Sequence, residues 1–132
     1  MFKLTKKIEY ALIALQHMQT KNRSNITSVK EIADRYDLPL SLLAKILQQL
    51  AKHKIVKPMQ GPNGGYQIIN PLDKIMFKDL VEIIERPIGI VDCLKKPDCS
   101  HIGDCNIQVP IERINAKINK LFSTMTVADI TN

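Results

Sequence analysis

Hydrophobic side chains recur at helical spacing along the first 50 residues and predict three short amphipathic helices. The first follows Thr5, a candidate N-cap, and its apolar positions are Ile8, Ala11, Leu12, Leu15 and Met18. Ser28 and Glu31 have the S-x-x-E spacing of a capping box, so a second helix should begin at Ser28. A third apolar stripe consists of Leu43, Ile46, Leu47 and Leu50. Only the turn D-L-P-L separates the second and third helices, which predicts a helix-turn-helix motif.

A β-hairpin is predicted directly after the third helix. Residues 56–59 and 66–69 are β-rich and flank the tip G-P-N-G-G at residues 61–65. Glycines at such a tip permit the positive φ angles of tight turns. The tip lacks the G-x-x-x-x-G-K-[ST] order of a nucleotide-binding loop, which argues against nucleotide binding, the alternative role of a glycine-rich turn. The predicted fold is therefore mainly α: a winged helix-turn-helix with a small β-hairpin wing.

Two further helices are predicted beyond the wing. The first buries Phe77, Leu80, Val81 and Ile84 and ends before Pro87. The second is long, and its apolar face needs a cover that the winged-helix core does not supply. We expect the same helix of a second copy to cover it, while packing against its own domain is the alternative. The predicted dimerisation residues are Ile111, Ile114, Ile118, Leu121 and Phe122. Residues 1–86 would then form the DNA-binding domain, and residues 87–132 a cysteine-containing loop and a long C-terminal dimerisation helix.

Positive charge is concentrated in the predicted winged helix. Residues 1–70 contain 11 Lys and Arg against 4 Asp and Glu, a net charge of +7, whereas residues 71–132 contain 8 against 9. A basic face of this kind suits the phosphate backbone of DNA, and Gln side chains can bind base edges. Simple solvation of a helix surface is the alternative for any one residue. The predicted DNA-binding residues are Ser28, Ser41, Leu42, Lys45, Gln48, Gln49, Lys52, Lys57, Gln60, Gly61, Pro62, Asn63, Gly64 and Tyr66.

The only three cysteines, Cys93, Cys99 and Cys105, are spaced C-x5-C-x5-C between the last two predicted helices. No apolar run approaches the roughly 20 residues of a membrane span, so we expect a cytoplasmic protein in which cysteines bind metal or undergo redox chemistry. Thiolates select iron–sulfur clusters, zinc or copper(I). The five-residue gaps count against structural zinc, which favours C-x2–4-C spacing. Three inert thiols remain an alternative, whereas no nucleophile–base pair supports an enzyme.

The chain resembles the iron–sulfur winged-helix transcriptional regulators that include IscR, NsrR and RirA. The resemblance covers nearly the whole chain and rests on L-T-K-K-I-E-Y-A-L-I-A-L at residues 4–15, on residues 41–66 ending in G-P-N-G-G-Y, and on the three cysteines. Within this family, the pattern looks most like the branch that regulates the SUF cluster-assembly system. The resemblance implies a homodimer that binds palindromic operators through the third helix and wing. A [2Fe–2S] or [4Fe–4S] cluster on the three cysteines would govern affinity in response to iron–sulfur status, nitric oxide or redox stress.

The resemblance also suggests a fourth cluster ligand. In IscR-like members a histidine three residues after the last cysteine completes the site, but here that residue is Gln108. In NsrR-like members an acidic residue in the partner's first helix does so, and the matching residue here is Glu9. We therefore expect Glu9 to be the ligand, with His101 as a second candidate. A zinc- or thiol-based regulator on the same fold is the alternative function.

Overall fold

The computed structural model describes residues 4–21, 26–62, 64–85 and 106–131 and has the predicted winged-helix architecture. Its helices are α1 Lys6–Thr20, α2 Val29–Tyr36, α3 Leu40–Lys52, α4 Phe77–Ile84, α5 Gln108–Thr124 and α6 Val127–Thr131. Strands β1 Val56–Met59 and β2 Gly65–Ile68 form an antiparallel hairpin, and Leu72–Lys74 form a single 3-10 turn. The order of helix-turn-helix and wing confirms the predicted fold class.

Side-chain caps begin the first two helices where the sequence predicts them. The Ile8 amide donates to Thr5 Oγ1 at 3.4 Å, and the Glu31 amide donates to Ser28 Oγ at 3.0 Å. Each bond satisfies a backbone donor that has no partner within its helix. Asp37 ends α2 with φ of 54°, a left-handed conformation that a short polar residue tolerates. The caps therefore set where α1 and α2 begin, and Asp37 begins the turn between α2 and α3.

The apolar stripes of the helices meet in one hydrophobic core. Leu15 of α1, Ile32 of α2, Leu43 and Leu50 of α3 and Leu80 of α4 are each fully buried. The third-helix stripe predicted from the sequence, Leu43, Ile46, Leu47 and Leu50, is buried as a whole. Burial on one side of α3 leaves its opposite side facing outward, which is the face that matters for function.

The C-terminal residues return to the same core. The Phe77 amide donates to the Met125 carbonyl, and the Val127 amide donates to the Ile75 carbonyl, each at 2.8 Å. Val127, the first residue of α6, is fully buried. Helix α6 gives no clear sequence signal, because five residues are too short for a clear helical period.

The wing is attached to the start of α2. Val56 pairs with Ile68 at its base, and both residues are buried. Thr27 and Tyr66 exchange two backbone hydrogen bonds of 2.8 Å. A Cβ atom on Gly65 would lie 2.4 Å from the Thr27 carbonyl oxygen, so only glycine permits this approach. The hairpin therefore holds a defined position beside the helix-turn-helix motif.

The predicted dimerisation residues of α5 have two different environments. Phe122 packs against Phe77 of the same chain with ring centroids 5.0 Å apart. Ile111 and Ile118 are half-buried, but the residues Ile114 and Leu121 are 48% and 56% exposed. The helix thus half-buries Ile111, Ile118 and Phe122 and leaves Ile114 and Leu121 uncovered.

Candidate nucleic-acid interface

The outward face of α3 carries most of the predicted DNA-binding residues. Ser41, Lys45, Gln48 and Lys52 are all exposed and follow one another at three- or four-residue spacing, so they lie along one side of the helix. Gln49 is exposed beside them. The structure therefore brings these five residues together on one surface, with hydroxyl, amide and ammonium groups suited to base edges and phosphates.

A groove of about 380 Å³ runs beside this face, between α3 and the first turn of α1. Leu42, which is half-buried, and Ile46 supply its apolar part. Its remaining lining residues are Lys7, Lys45, Gln48, Gln49 and Lys52. Three of the seven described residues that line the groove are lysines and none of these seven is acidic, which gives the groove a positive potential.

Lys7 was not among the sequence-predicted DNA-binding residues. It belongs to α1, more than 30 residues before the recognition helix, and the groove exists only because the two helices pack together. The sequence signal is its place in a Lys6–Lys7 pair at a predicted helix start, which does not indicate which surface the residue joins. Tertiary packing supplies that information.

The wing presents a second polar surface. Lys57, Gln60, Gly61 and Pro62 are exposed. Gly61 has φ of 118°, a conformation that side-chain-bearing residues rarely adopt. Gly64 and Tyr66 are half-buried, whereas the predicted residue Asn63 lies outside the described residues.

Ser28, the remaining predicted DNA-binding residue, is half-buried and caps α2. Its hydroxyl oxygen accepts from the Glu31 amide, so its hydrogen can still be donated to another acceptor.

A polar cluster ties the C-terminal end of α1 to α2. The Lys21 ammonium lies 2.6 Å from Glu31 Oε1, and His17 Nε2 lies 2.7 Å from Glu31 Oε2. His17 Nδ1 also lies 2.9 Å from the Tyr36 hydroxyl. The hydrogen bond from Lys21, followed by that with His17, lowers the pKa of Glu31. The charged carboxylate therefore links the C-terminal end of α1 to α2.

Among the predicted cluster ligands, Glu9 is the one that the structure describes. It lies in the first turn of α1, 3.2 Å from the Lys6 ammonium, and its side chain is 42% exposed. Cys93, Cys99, Cys105 and the alternative ligand His101 lie outside the described residues. Gln108 is the first residue of α5, and its side-chain amide donates to Glu112 at 3.0 Å.

The chain enters and leaves the cysteine-containing segment at described positions. Glu85 is the last residue before it, and its carboxylate accepts a 2.7 Å hydrogen bond from the Thr5 hydroxyl at the start of α1. Asn106 is the first described residue after it. Within residues 4–21, 26–62, 64–85 and 106–131, no three His, Cys, Asp or Glu side chains are grouped closely enough to hold a metal ion. None of the helices in those ranges is long and apolar enough to cross a membrane.

The chain is similar to known transcriptional regulators over almost its full length. A protein of Aquifex aeolicus named as a candidate HTH-type transcriptional regulator is 32% identical over 128 residues, which cover 95% of this chain and 88% of that protein. The HTH-type transcriptional regulator IscR of Sodalis glossinidius is 24% identical, with coverage of 98% and 79%.

Solved structures show the same fold. CymR, the global cysteine regulator of B. subtilis, superposes with a TM-score of 0.75 at 26% identity and covers 99% of this chain and 97% of its own. IscR of T. potens superposes with a TM-score of 0.70 at 22% identity, with coverage of 98% and 85%. The sequence pattern of the Rrf2 family, described as an iron-dependent transcriptional regulator, matches residues 4–132. The exposed polar face of α3, the wing and these similarities lead to one conclusion: the chain belongs to the Rrf2 family of DNA-binding transcriptional regulators and is not an enzyme.

Proposed function

We propose that the protein is a homodimeric, cytoplasmic regulator that binds a palindromic operator with an affinity controlled by an iron–sulfur cluster. Cys93, Cys99 and Cys105 would hold the cluster, and the partner subunit's Glu9 would complete its ligands. The proposed signal is iron–sulfur status, nitric oxide or redox stress. The observation that carries the proposal is the accessible carboxylate of Glu9 in a chain whose family is described as iron-dependent.

DNA recognition is the first part of this proposal. Ser41, Lys45, Gln48 and Lys52 would enter the major groove on α3, while Lys57 and Gln60 of the wing would contact the adjacent backbone. Glutamine amides can pair with adenine edges, and lysines bind phosphates. In a symmetric dimer the two recognition helices would meet half-sites about one helical turn apart or a multiple of it, which favours a palindromic operator.

The residues of this chain fit an iron–sulfur cluster in their chemistry. Three thiolates are soft ligands that leave one coordination position open. Glu9 is paired with Lys6 at the surface and is not enclosed in the core, so its carboxylate is accessible to a second subunit. When bound, the cluster would supply a redox-active centre. Because the Glu9 carboxylate is a hard ligand beside soft thiolates, it would be the ligand that exchanges most readily.

Dimerisation would bring these parts together. The uncovered side chains Ile114 and Leu121 lie on the same face of α5. A second copy of α5 would bury them in a self-complementary interface. The same interface would bring the first helix of one subunit towards the cysteine segment of the other.

Anaerobic purification tests the cluster directly. Iron, acid-labile sulfide and zinc should be quantified per monomer, and the visible absorption spectrum recorded before and after reconstitution with iron and sulfide. We expect charge-transfer bands with iron and sulfide in near-equal amounts. A colourless protein that carries zinc or no metal after reconstitution would instead support the alternative, a zinc- or thiol-based regulator.

DNA selection tests the regulatory part separately. The purified dimer should enrich a two-fold symmetric sequence from a random duplex library and bind it in a salt-dependent manner. Failure to prefer any sequence over random DNA would contradict operator binding, whatever the metal content of the protein.

A further inference from the structure

The lysine-lined groove includes one residue from outside the helix-turn-helix motif and wing. Lys45 and Lys52 belong to the recognition helix α3, but Lys7 belongs to the first turn of α1. Lys7 is exposed, and the other lining residues are the amides of Gln48 and Gln49 and the apolar side chains of Leu42 and Ile46. Among the residues that the structure describes, no carboxylate lines the groove to neutralise the three ammonium groups.

The neighbouring residue Lys6 shows that this arrangement is specific to Lys7. Lys6 is 75% exposed, forms a 3.2 Å ion pair with Glu9 and does not line the groove. Two consecutive lysines therefore have different surroundings: one faces a carboxylate on its own helix, and the other faces the recognition surface. A converging set of lysines beside a helix that enters the major groove is suited to the negatively charged backbone that flanks the bases.

We propose that Lys7 is a DNA-backbone contact that closes, with Lys45 and Lys52, a phosphate-binding groove between α1 and the recognition helix. This inference rests on the proposed binding of an operator through α3. It adds a third DNA-contacting element, the start of α1, to the helix-turn-helix motif and the wing. Its ligand is a backbone phosphate, so Lys7 contributes affinity without selecting a base.

Contacts at the start of α1 fix the helix turn that carries Lys7. Thr5 caps the helix by accepting from the Ile8 amide, and its hydroxyl donates to Glu85 at 2.7 Å. Glu85 follows α4 and is the last described residue before the cysteine segment. The Thr5–Glu85 hydrogen bond thus joins the entry of that segment to the helix turn that carries Lys7. Glu85 is accordingly a positioning residue for the Lys7 contact.

The salt dependence of operator binding tests the role of Lys7. Affinities of wild type and Lys7→Gln for the selected operator and for a random duplex should be measured between 50 and 200 mM salt, at equal iron and sulfide content. Each phosphate contact contributes about 0.9 to the slope of log affinity against log salt, so a dimer that loses two contacts should lose roughly 1.8. We expect a similar relative weakening on both DNAs, by about an order of magnitude or more.

Lys6→Gln is the matched control, since it removes the same charge from the adjacent position. We expect its slope to stay close to that of wild type. Equal slope changes in Lys6→Gln and Lys7→Gln, or an unchanged slope in Lys7→Gln, would overturn the proposal. Absence of operator preference in the wild type would instead refute the proposed function on which this inference rests.

A double-mutant cycle tests the positioning role of Glu85. Glu85→Ala should weaken operator binding when Lys7 is present and have little further effect in the Lys7→Gln background. Glu82→Ala removes the same charge from the last turn of α4. It should change operator affinity by the same factor whether Lys7 is present or replaced by glutamine. Additive effects of Glu85→Ala and Lys7→Gln would show that the Thr5–Glu85 bond does not act through Lys7.

Discussion

Among the described residues, Glu9 is the one proposed ligand of the iron–sulfur cluster. Replacing it with alanine removes a carboxylate that is accessible at the surface of α1. We expect Glu9→Ala to lose cluster more readily than wild type during anaerobic titration with an iron chelator, because one coordination position loses its protein ligand. Iron and sulfide contents and the visible spectrum would report the loss.

Gln108→Ala is the comparison for Glu9→Ala. Gln108 occupies the position of the histidine ligand in one branch of the family, but its amide is hydrogen-bonded to Glu112. We expect Gln108→Ala to retain its cluster nearly as well as wild type. The opposite order of cluster loss in the two variants would show that the assignment of Glu9 is wrong.

Gly65 is a residue-scale test of how the wing is held. A Cβ atom at this position would lie 2.4 Å from the Thr27 carbonyl oxygen and 2.9 Å from Ser28 Cα. We expect Gly65→Ala to reduce the free energy of unfolding by roughly 1–3 kcal/mol, since backbone on both sides must shift to relieve the overlap. Operator affinity should fall as well, because the wing would move relative to α2. Chemical denaturation and DNA-binding titrations would measure the two effects, and a fully stable variant with wild-type affinity would contradict this account.

At the scale of elements, α5 is the helix whose apolar face is incompletely covered. Ile114 lies on that face, whereas Ala116 lies almost opposite on the helix, and both residues are exposed. We expect Ile114→Asp to weaken dimerisation by roughly 100-fold or more, because two isoleucine side chains worth about 1.5–3 kcal/mol each leave a symmetric interface. Ala116→Asp introduces the same charge and should remain dimeric. Analytical ultracentrifugation of wild type and both variants would give their oligomeric states. A monomeric wild type would refute the proposed α5 interface.

The contact between α1 and α2 predicts a pH-dependent stability. Lys21 and His17 lower the pKa of Glu31 in the folded protein, so the ionised carboxylate stabilises the fold above the ordinary glutamate pKa. That contribution should be lost as pH falls through the lowered pKa of the folded state. The Glu31 side chain is 37% exposed, which limits the effect to about 1 kcal/mol or less.

Glu31→Gln tests this contribution. The difference in unfolding free energy between wild type and Glu31→Gln should be largest near neutral pH and shrink in acid, as measured by denaturation at several pH values. A difference that does not depend on pH would show that the charge of Glu31 is not involved.

At the scale of the whole molecule, the described residues on either side of the cysteine-containing segment belong to one packed domain. Glu85, before the segment, accepts a hydrogen bond from Thr5 at the start of α1, and Phe122 of α5, after the segment, packs against Phe77. We expect Cys99→Ala to abolish the cluster and to leave the melting temperature of the cluster-free protein nearly unchanged. The reason is that the apolar stripes that form the described core belong to the helices and the wing and lie outside the segment in the sequence. Operator affinity should then change by a coupling free energy of about 1–3 kcal/mol.

Calorimetry and DNA titrations of cluster-loaded wild type, cluster-free wild type and Cys99→Ala would test this prediction. Cluster-free wild type is the control for effects of the substitution itself. An unfolded Cys99→Ala protein, or one with full cluster content, would contradict it.

The sequence by itself determined the local elements of this protein. Thr5 and Ser28 cap the first two helices as predicted, and the apolar stripe of α3 is buried as predicted. The second wing strand was displaced by only one residue, with 66–69 predicted and Gly65–Ile68 observed. These features depend on helix capping, periodicity and turn chemistry, which act between residues close together in the chain.

Only the tertiary structure decided which distant residues share a surface. It placed Lys7 in the groove of the recognition helix, joined Thr5 to Glu85, and packed Phe122 on Phe77. The amphipathic pattern indicated which side of each helix is apolar, but it could not say which helix would lie against which. Those choices depend on how complete apolar surfaces fit together in the core, a property of the whole chain that no short stretch of sequence contains.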